Sequence, residues 1–321
     1  MRADINTIAS KCGVSKATVS RVFTGKAPVG QAIKEKVLSV AKALNYSPQQ
    51  LATHDCICII TNSSMSSCQF EFYSMLTIHL LREIVHSGYG IKIMGFDGID
   101  RILQSYTKAA VILAGQDSVA KYHESLASLN IPLIAVNQES EYAHAICFDH
   151  CKQIEEAVEQ LHALGHRRIV MVHDGMENWG ARERQRGYLI AMRRLGLPEM
   201  AELCYADNNN SMTEVLVKLR RTDATAVIVC GEGIVPETAY ALNLLDIKVP
   251  DELSLISFEQ PDFSKWLTPP HTTIHQPVEL MASEIMSSLM SLIKNPSQPK
   301  SVKMLKCKIN SRQSVKSIWA S

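Results

Sequence analysis

The sequence predicts an α/β protein: a small all-α helix-turn-helix headpiece followed by a two-lobed, doubly wound parallel-sheet domain. Three observations predict it. Apolar residues recur at helical spacing from Ile5 to Leu44, with no strand-like run among them. From Cys56 onward, short apolar runs alternate with amphipathic segments. The 321 residues exceed what one such sheet uses. The implied division is 1–48 for the headpiece, 49–55 for a short hinge and 56–321 for the larger domain.

Ile5, Ile8 and Ala9 fall on one face of a first helix, and Cys12-Gly13-Val14 supplies a Gly-containing turn. Ser15 stands where an N-cap belongs, so its hydroxyl is expected to accept a backbone N–H at the start of a second helix, Lys16 to Phe23. Val19, Val22 and Phe23 would face inward, leaving Lys16, Ala17, Thr18, Ser20 and Arg21 outside. A cation and small hydroxyls at the start of a helix fit a DNA major groove. The candidate DNA-binding set is therefore Ser15, Lys16, Ala17, Thr18, Ser20 and Arg21, with Lys16, Ala17 and Arg21 assigned to base edges and Thr18 and Ser20 to phosphate. A third helix is expected over about Gln31 to Leu44, with Ile33, Val37, Leu38, Val40, Ala41 and Leu44 on its apolar side, and Asn45-Tyr46-Ser47-Pro48 ends it.

In the larger part, strands are expected at Cys56 to Thr61, Ile91 to Gly95, Ala110 to Ala114, Pro132 to Val136, Ile146 to Phe148, Ile169 to His173, Ala226 to Cys230 and Leu253 to Phe258. Helices are expected at Phe72 to Ser87, Val119 to Leu129, Gln153 to Leu164, Arg182 to Leu195, Met212 to Arg221, Val235 to Leu245 and Val278 to Ile293. Such alternation gives parallel sheets with right-handed crossovers, and the length gives two similar lobes with a cleft at the carboxyl ends of their strands.

Charge is uneven. The net charge of +1 conceals a headpiece of about +6, in which Arg2, Lys11, Lys16, Arg21, Lys26, Lys34, Lys36 and Lys42 face only Asp4 and Glu35. A phosphate-binding module has this footprint. No apolar run reaches the roughly 18 residues of a membrane helix and none opens the chain, so a cytoplasmic protein with no membrane partner is expected. The nine cysteines lie scattered in apolar segments, without paired Cys-x-x-Cys spacing, and are expected to be reduced, so neither a metal nor a cofactor is expected. There is no Gly-x-Ser-x-Gly elbow, zinc helix, phosphate loop or dinucleotide glycine pattern, which argues against an enzyme.

The run GVSKATVSRVFTG, the helix that follows it and NYSP resemble the DNA-binding headpiece of the LacI/GalR family of bacterial transcription regulators. The resemblance continues through Leu164-Gly165-His166-Arg167-Arg168-Ile169, Arg184-x-x-Gly187-Tyr188, Val249-Pro250-Asp251-Glu252-Leu253-Ser254, Pro269-Pro270-His271-Thr272-Thr273-Ile274 and Ser311-Arg312-Gln313-Ser314. It implies a periplasmic-binding-protein-like effector domain and a homodimer on a two-fold symmetric operator in double-stranded DNA. It also implies a repressor of carbohydrate-utilisation genes, controlled by a small sugar-like effector. The alternative is a regulator that has lost ligand control.

Matched position by position, the resemblance puts Arg184, Asp149 and Glu259 in the effector pocket, and Glu232 stands on the loop Gly231-Glu232-Gly233, where the family has Asn-Asp; Trp179, between the strand at Ile169 and the helix bearing Arg184, is placed either to stack on a sugar face or to plug the lobe interface. Three carboxylates around one arginine would make that pocket acidic and suit a neutral or amine-bearing ligand. Two departures stand out. The hinge reads Ala52-Thr53-His54-Asp55 where the family wedges a leucine into the minor groove, and phosphate repels an aspartate there. The segment Phe96 to Ser105 is short, trimming a strand-helix connection. Pairing of subunits is expected through the first lobes, and the absence of leucine heptads near Ser321 argues against a tetramerising coiled coil.

Overall fold

The computed structural model describes residues 5–24, 28–44, 55–62, 67–101, 107–173, 175, 178–198, 203–204, 211–231, 233–259 and 263–319. The headpiece consists of α1 (Ile5–Cys12), α2 (Lys16–Thr24) and α3 (Gln31–Ala43). Its core is Ile8, Ala9, Cys12, Val19, Val37 and Ala41. Gly13 turns the chain between α1 and α2 at φ 67, where a Cβ would meet nothing but the backbone's own strain. The Val14 N–H donates to the Ala9 carbonyl (3.1 Å), closing the first helix. The core is narrower than the periodicity of α3 suggests: Ile33 and Leu38 are exposed, while Val37 and Ala41 are buried and Val40 and Leu44 pack at the margin.

The rest alternates as expected. The first lobe contains β1 (Cys56–Thr61), α4 (Ser67–His86), β2 (Gly90–Gly95), a 3-10 turn at Phe96–Arg101, β3 (Thr107–Leu113), α5 (Gln116–Lys121), α6 (His123–Ser128), β4 (Leu133–Val136) and β5 (His144–Phe148). The second contains α7 (His150–Ala163), β6 (Ile169–His173), α8 (Trp179–Arg194), β7 (Leu203–Cys204), α9 (Met212–Arg220), β8 (Ala226–Cys230), α10 (Val235–Leu244), β9 (Ser254–Phe258) and β10 (Thr272–His275). Then α11 (Val278–Lys294) and β11 (Val302–Leu305) return to the first lobe and β12 (Lys308–Asn310) to the second.

The sheets run β11-β5-β4-β3-β1-β2 and β12-β10-β9-β8-β6-β7, all neighbours parallel except the pair β10 and β12. The central order is the same in both lobes, and each reverses where its first strand meets its third.

Strand alternation explains the cores. On one face of the first sheet Ile57, Ile59, Val111 and Ile134 pack under α4 and α11, while Cys58, Ile60, Ile112 and Ala135 face the other way, toward α6 and the 3-10 turn. In the second sheet Ile169, Met171 and Ile228 pack under α7 and α8, and Val170, Val172 and Val229 under α9 and α10. Strands buried on both faces must be apolar throughout, hence their unbroken runs. Each such side chain contributes about 1.5–3 kcal/mol.

The helix expected over Val119 to Leu129 is two short helices broken at Tyr122 (φ −106, ψ 20), whose ring stacks on Phe96 at 5.1 Å and whose hydroxyl donates to Asp97 at 2.6 Å. That aromatic anchor, which ties the break to the shortened 3-10 segment, outweighs helical continuity. Asp55 is not a wedge: its carbonyl accepts from Gly90 N–H (3.0 Å) and its carboxylate lies 3.7 Å from Lys108, so it belongs to the sheet edge, while 51–54 lie outside the described residues.

Three crossings join the lobes: β5 to α7, β10 to α11 and β11 to β12. Just beyond the first crossing, α7 and α8 touch backbone to backbone, since a Cβ on Gly187 would sit 2.2 Å from the Cys151 carbonyl oxygen. Backbone cannot swing aside as a side chain can. Gly187→Ala is therefore expected to destabilise the larger domain by about 3 kcal/mol in thermal unfolding, whereas Gly13→Ala should cost about 1 kcal/mol and affect the headpiece alone.

Candidate functional site

Two regions carry chemistry. The first is the outer face of α2. Ser15 caps the helix, its Oγ accepting the Thr18 N–H at 3.1 Å and lying 2.9 Å from the Thr18 hydroxyl. Lys16, Ala17 and Arg21 are exposed, and Thr18 and Ser20 half-buried, so the six residues singled out in the sequence form one accessible strip backed by Val19.

The second region lies at the carboxyl ends of the strands, beside the first crossing. Asp149 follows β5 and caps α7: its carboxylate accepts the Lys152 N–H at 3.0 Å, and its own N–H donates to the Leu305 carbonyl at 2.9 Å, tying the first crossing to the third. One Asp149 oxygen is thus committed to the helix. Trp179 opens α8 and packs on Ala145 and Cys147 of β5, forming an apolar plug between the second lobe's helix and the first lobe's strand. Its ring lies 5.9 Å from that of His150.

Arg184 sits on α8 one turn before Gly187. The close approach of α7 and α8 buries it: Arg184 is 9% exposed, its guanidinium lies 4.3 Å from the Phe258 ring centroid, and its Nε has no hydrogen-bond partner among the described residues. His150, the first residue of α7, is buried beside it, with Nδ1 likewise lacking a partner. Burial, and then the Arg184 charge, hold the His150 imidazole well below the usual histidine value, so it is neutral.

Glu259 corrects the sequence reading. Placed there as a pocket carboxylate, it is instead occupied: Arg312 Nη2 donates to both its oxygens at 3.0 Å, Asn310 Nδ2 donates at 3.0 Å, and the Thr273 hydroxyl donates as well. Burial works to raise its pKa, but these hydrogen bonds outweigh burial and hold the carboxyl below its ordinary value. Glu259 therefore fastens the C-terminal segment to β10. Glu232 lies outside the described residues. The structure brings Trp179, Arg184 and the crossing at Asp149 together, with two of the three expected acids already engaged.

A model of bacterial regulatory proteins of the lacI family matches residues 4–49, and one of a periplasmic binding protein-like domain matches residues 158–315. The chain is 24% identical over 309 residues to the probable HTH-type transcriptional repressor ExuR of Bacillus subtilis (strain 168), covering 91% of this chain and 92% of that protein. It is also 24% identical over 317 residues to the ribose operon repressor of Escherichia coli (strain K12), covering 92% and 94%. The Lac repressor dimer bound to operator and the anti-inducer ONPF has the same fold, with a TM-score of 0.82 at 19% identity over 98% of this chain and 100% of that one. The chain belongs to the LacI/GalR family.

As a LacI-family member it is a DNA-binding transcriptional regulator. Among the described residues no group of three or more His, Cys, Asp or Glu could hold a metal, and no helix is long and apolar enough to cross a membrane. Burial pushes the Cys58 and Cys147 thiols up to about 12, so they are inert packing groups. Sequence reasoning missed two features of this regulator. His150 follows Asp149 directly, yet an isolated histidine at a helix start carries no pattern. Arg312 was seen only as part of a terminal motif, its partner Glu259 lying far away in the chain.

The Glu259 linkage has a definite sign. Its folded pKa is lowered from 4.5, so its contribution is complete above that value and is lost as pH falls through the folded one. Glu259→Gln should cost about 2 kcal/mol at neutral pH and shrink the acid-induced loss of stability below pH 4.5. Circular-dichroism melts from acid to neutral pH check this, and parallel curves for the two proteins would contradict it.

Proposed function

We propose that this regulator is a homodimeric repressor of carbohydrate-utilisation genes, acting in the cytoplasm without a catalytic step, whose operator affinity is set by a small sugar-like effector held between the lobes. The observation that carries the reading is the accessible strip of exposed Lys16, Ala17 and Arg21 with half-buried Thr18 and Ser20 on a capped, core-backed helix. Lys16, Ala17 and Arg21 meet base edges in the major groove, Thr18 and Ser20 meet phosphate, and Ser15 caps the helix at the DNA surface. The headpiece is taken as residues 1–48, the hinge as 49–55 and the effector domain as 56–321.

In the effector domain, Arg184 binds the ligand and Trp179 forms a wall beside it; Glu232, outside the described residues, is assigned to the same ligand from the sequence alone. Asp149 and Glu259 act mainly by holding α7 and β10 in place. The names of the relatives support sugar control, one being a ribose operon repressor. Exposed apolar side chains support pairing of two copies through both lobes, extending the first-lobe contact expected from the sequence: Ile78 and Val85 on α4, Tyr240 and Leu244 on α10, and Trp266 at 76% exposure. Pairing would set two α2 helices about one DNA turn apart.

Selection of bound duplexes from a random pool tests this, with a palindrome as the expected product. On the selected site Arg21→Ala should lose about 1–3 kcal/mol and tolerate substitution at one base pair. Fluorescence anisotropy across single-base variants reads both effects, and an equal loss on every duplex would assign Arg21 to phosphate instead.

A further inference from the structure

Arg184 is a buried cation with no counter-ion among the described residues. Among the described residues it makes no ion pair, its Nε lacks an acceptor, and its one close partner is the face of Phe258. Of the three carboxylates the sequence places around it, Glu259 is already held by Arg312, Asn310 and Thr273, Asp149 caps α7, and Glu232 lies outside the described residues. Neither described carboxylate therefore pairs with Arg184, and among the described residues its charge is uncompensated. A buried guanidinium without a partner is costly, and a protein retains one where something else supplies the charge.

The neighbouring groups narrow the ligand. His150 is neutral, so it adds no second cation, and Arg184 is the charge that acts on it. Its Nδ1 is buried and without a partner, as are both ends of the Gln153 amide on the same first turn of α7. A neutral imidazole offers one donor and one acceptor, and an amide offers both, which suits hydroxyl groups able to play either role. One guanidinium fork matches one carboxylate in two parallel hydrogen bonds, whereas a phosphate dianion calls for more positive charge than a single arginine.

We propose that the effector is a sugar acid, a uronate or aldonate, whose carboxylate is taken by Arg184 and whose hydroxyls meet His150. This rests on the effector-controlled reading above. The test uses the full chain at neutral pH, with thermal shift and calorimetry against four- to seven-carbon sugar acids, each paired with its neutral parent sugar, together with glucose 6-phosphate. At least one acid is expected to raise the melting temperature and to bind about 10-fold or more tightly than its parent. Arg184→Lys, which keeps the charge and loses the fork, should weaken that acid about 10- to 100-fold. Without ligand, Arg184→Met should melt no lower than the parent protein, since it removes an uncompensated charge at similar volume.

Tightest binding by a neutral sugar or by the phosphate overturns the acid assignment and leaves effector control standing. Binding by no member of the panel overturns both. A marked drop in the melting temperature of unliganded Arg184→Met also overturns the assignment, because it would mean that the charge is already compensated within the protein.

Discussion

The backbone contact between α7 and α8 is the constraint on which the rest of the larger domain depends. Gly187 leaves no room for even a methyl group against the Cys151 carbonyl, and a Cβ on Gly180 would lie 3.1 Å from His150 Nε2. With the two helices this close, α8 roofs the first residue of α7, and His150 loses contact with water. The Tyr188 hydroxyl donates to the Ile169 carbonyl at 2.8 Å and pins α8 to β6; at the far end Arg194 bonds Glu155 at 2.8 Å and also Glu159. Held at three points along its length, α8 has little freedom to rotate. Arg184 and Trp179 inherit that fixity, which a site that orients a small ligand requires.

Two arginines show how differently one residue type is used. Arg312 is fully compensated: besides Glu259, its Nη1 donates to the His271 carbonyl at 2.8 Å and to the Thr273 hydroxyl at 2.7 Å. Two residues on, the Ser314 hydroxyl accepts the Thr272 N–H at 2.7 Å and donates to the Leu255 carbonyl at 2.6 Å. The terminal Arg-x-Ser motif thus straps β9 and β10 together. Its buried charge is part of a saturated network, the arrangement in which buried polar groups stabilise rather than cost. Arg184 has an aromatic face and no acceptor for its Nε, so the same physics that makes Arg312 structural makes Arg184 receptive.

The fold was legible in the sequence to the extent that it is written in local periodicity. Both α/β lobes and the headpiece follow from runs such as Cys56 to Thr61 and from the Gly13 turn, because burial on both faces of a sheet forces unbroken apolar runs. Short edge strands were not legible: β7, β11 and β12 have two, four and three residues, and they are strands only because a neighbour supplies the ladder. The hydrogen-bonding of the candidate site residues was not legible. Arg184 stands beside the crossing because the Arg-x-x-Gly-Tyr spacing sets it one turn before the glycine that makes the helix contact. The fate of Glu259 depended on an arginine from a distant segment, and no local pattern reports such a pair. His150 was invisible for the complementary reason, since its burial is imposed by α8 from above.

Trp179 gives the cleft its mechanical character. It belongs to an α8 fixed to the second sheet, yet it packs on Ala145 and Cys147 in the first. Any change in the angle between the lobes must slide this ring along β5 or carry β5 with it. Because β5 runs directly through Asp149 into α7, the shift is transmitted within one turn to His150 and Arg184. A ligand at Arg184 can bias that motion only through the difference in its affinity for the two arrangements. A charge-paired carboxylate supplies a larger difference than hydroxyls alone, since the guanidinium is already buried and only the acid offsets the cost of that burial. Burying an uncompensated arginine against the interlobe plug is thus a means of making lobe position sensitive to ligand charge.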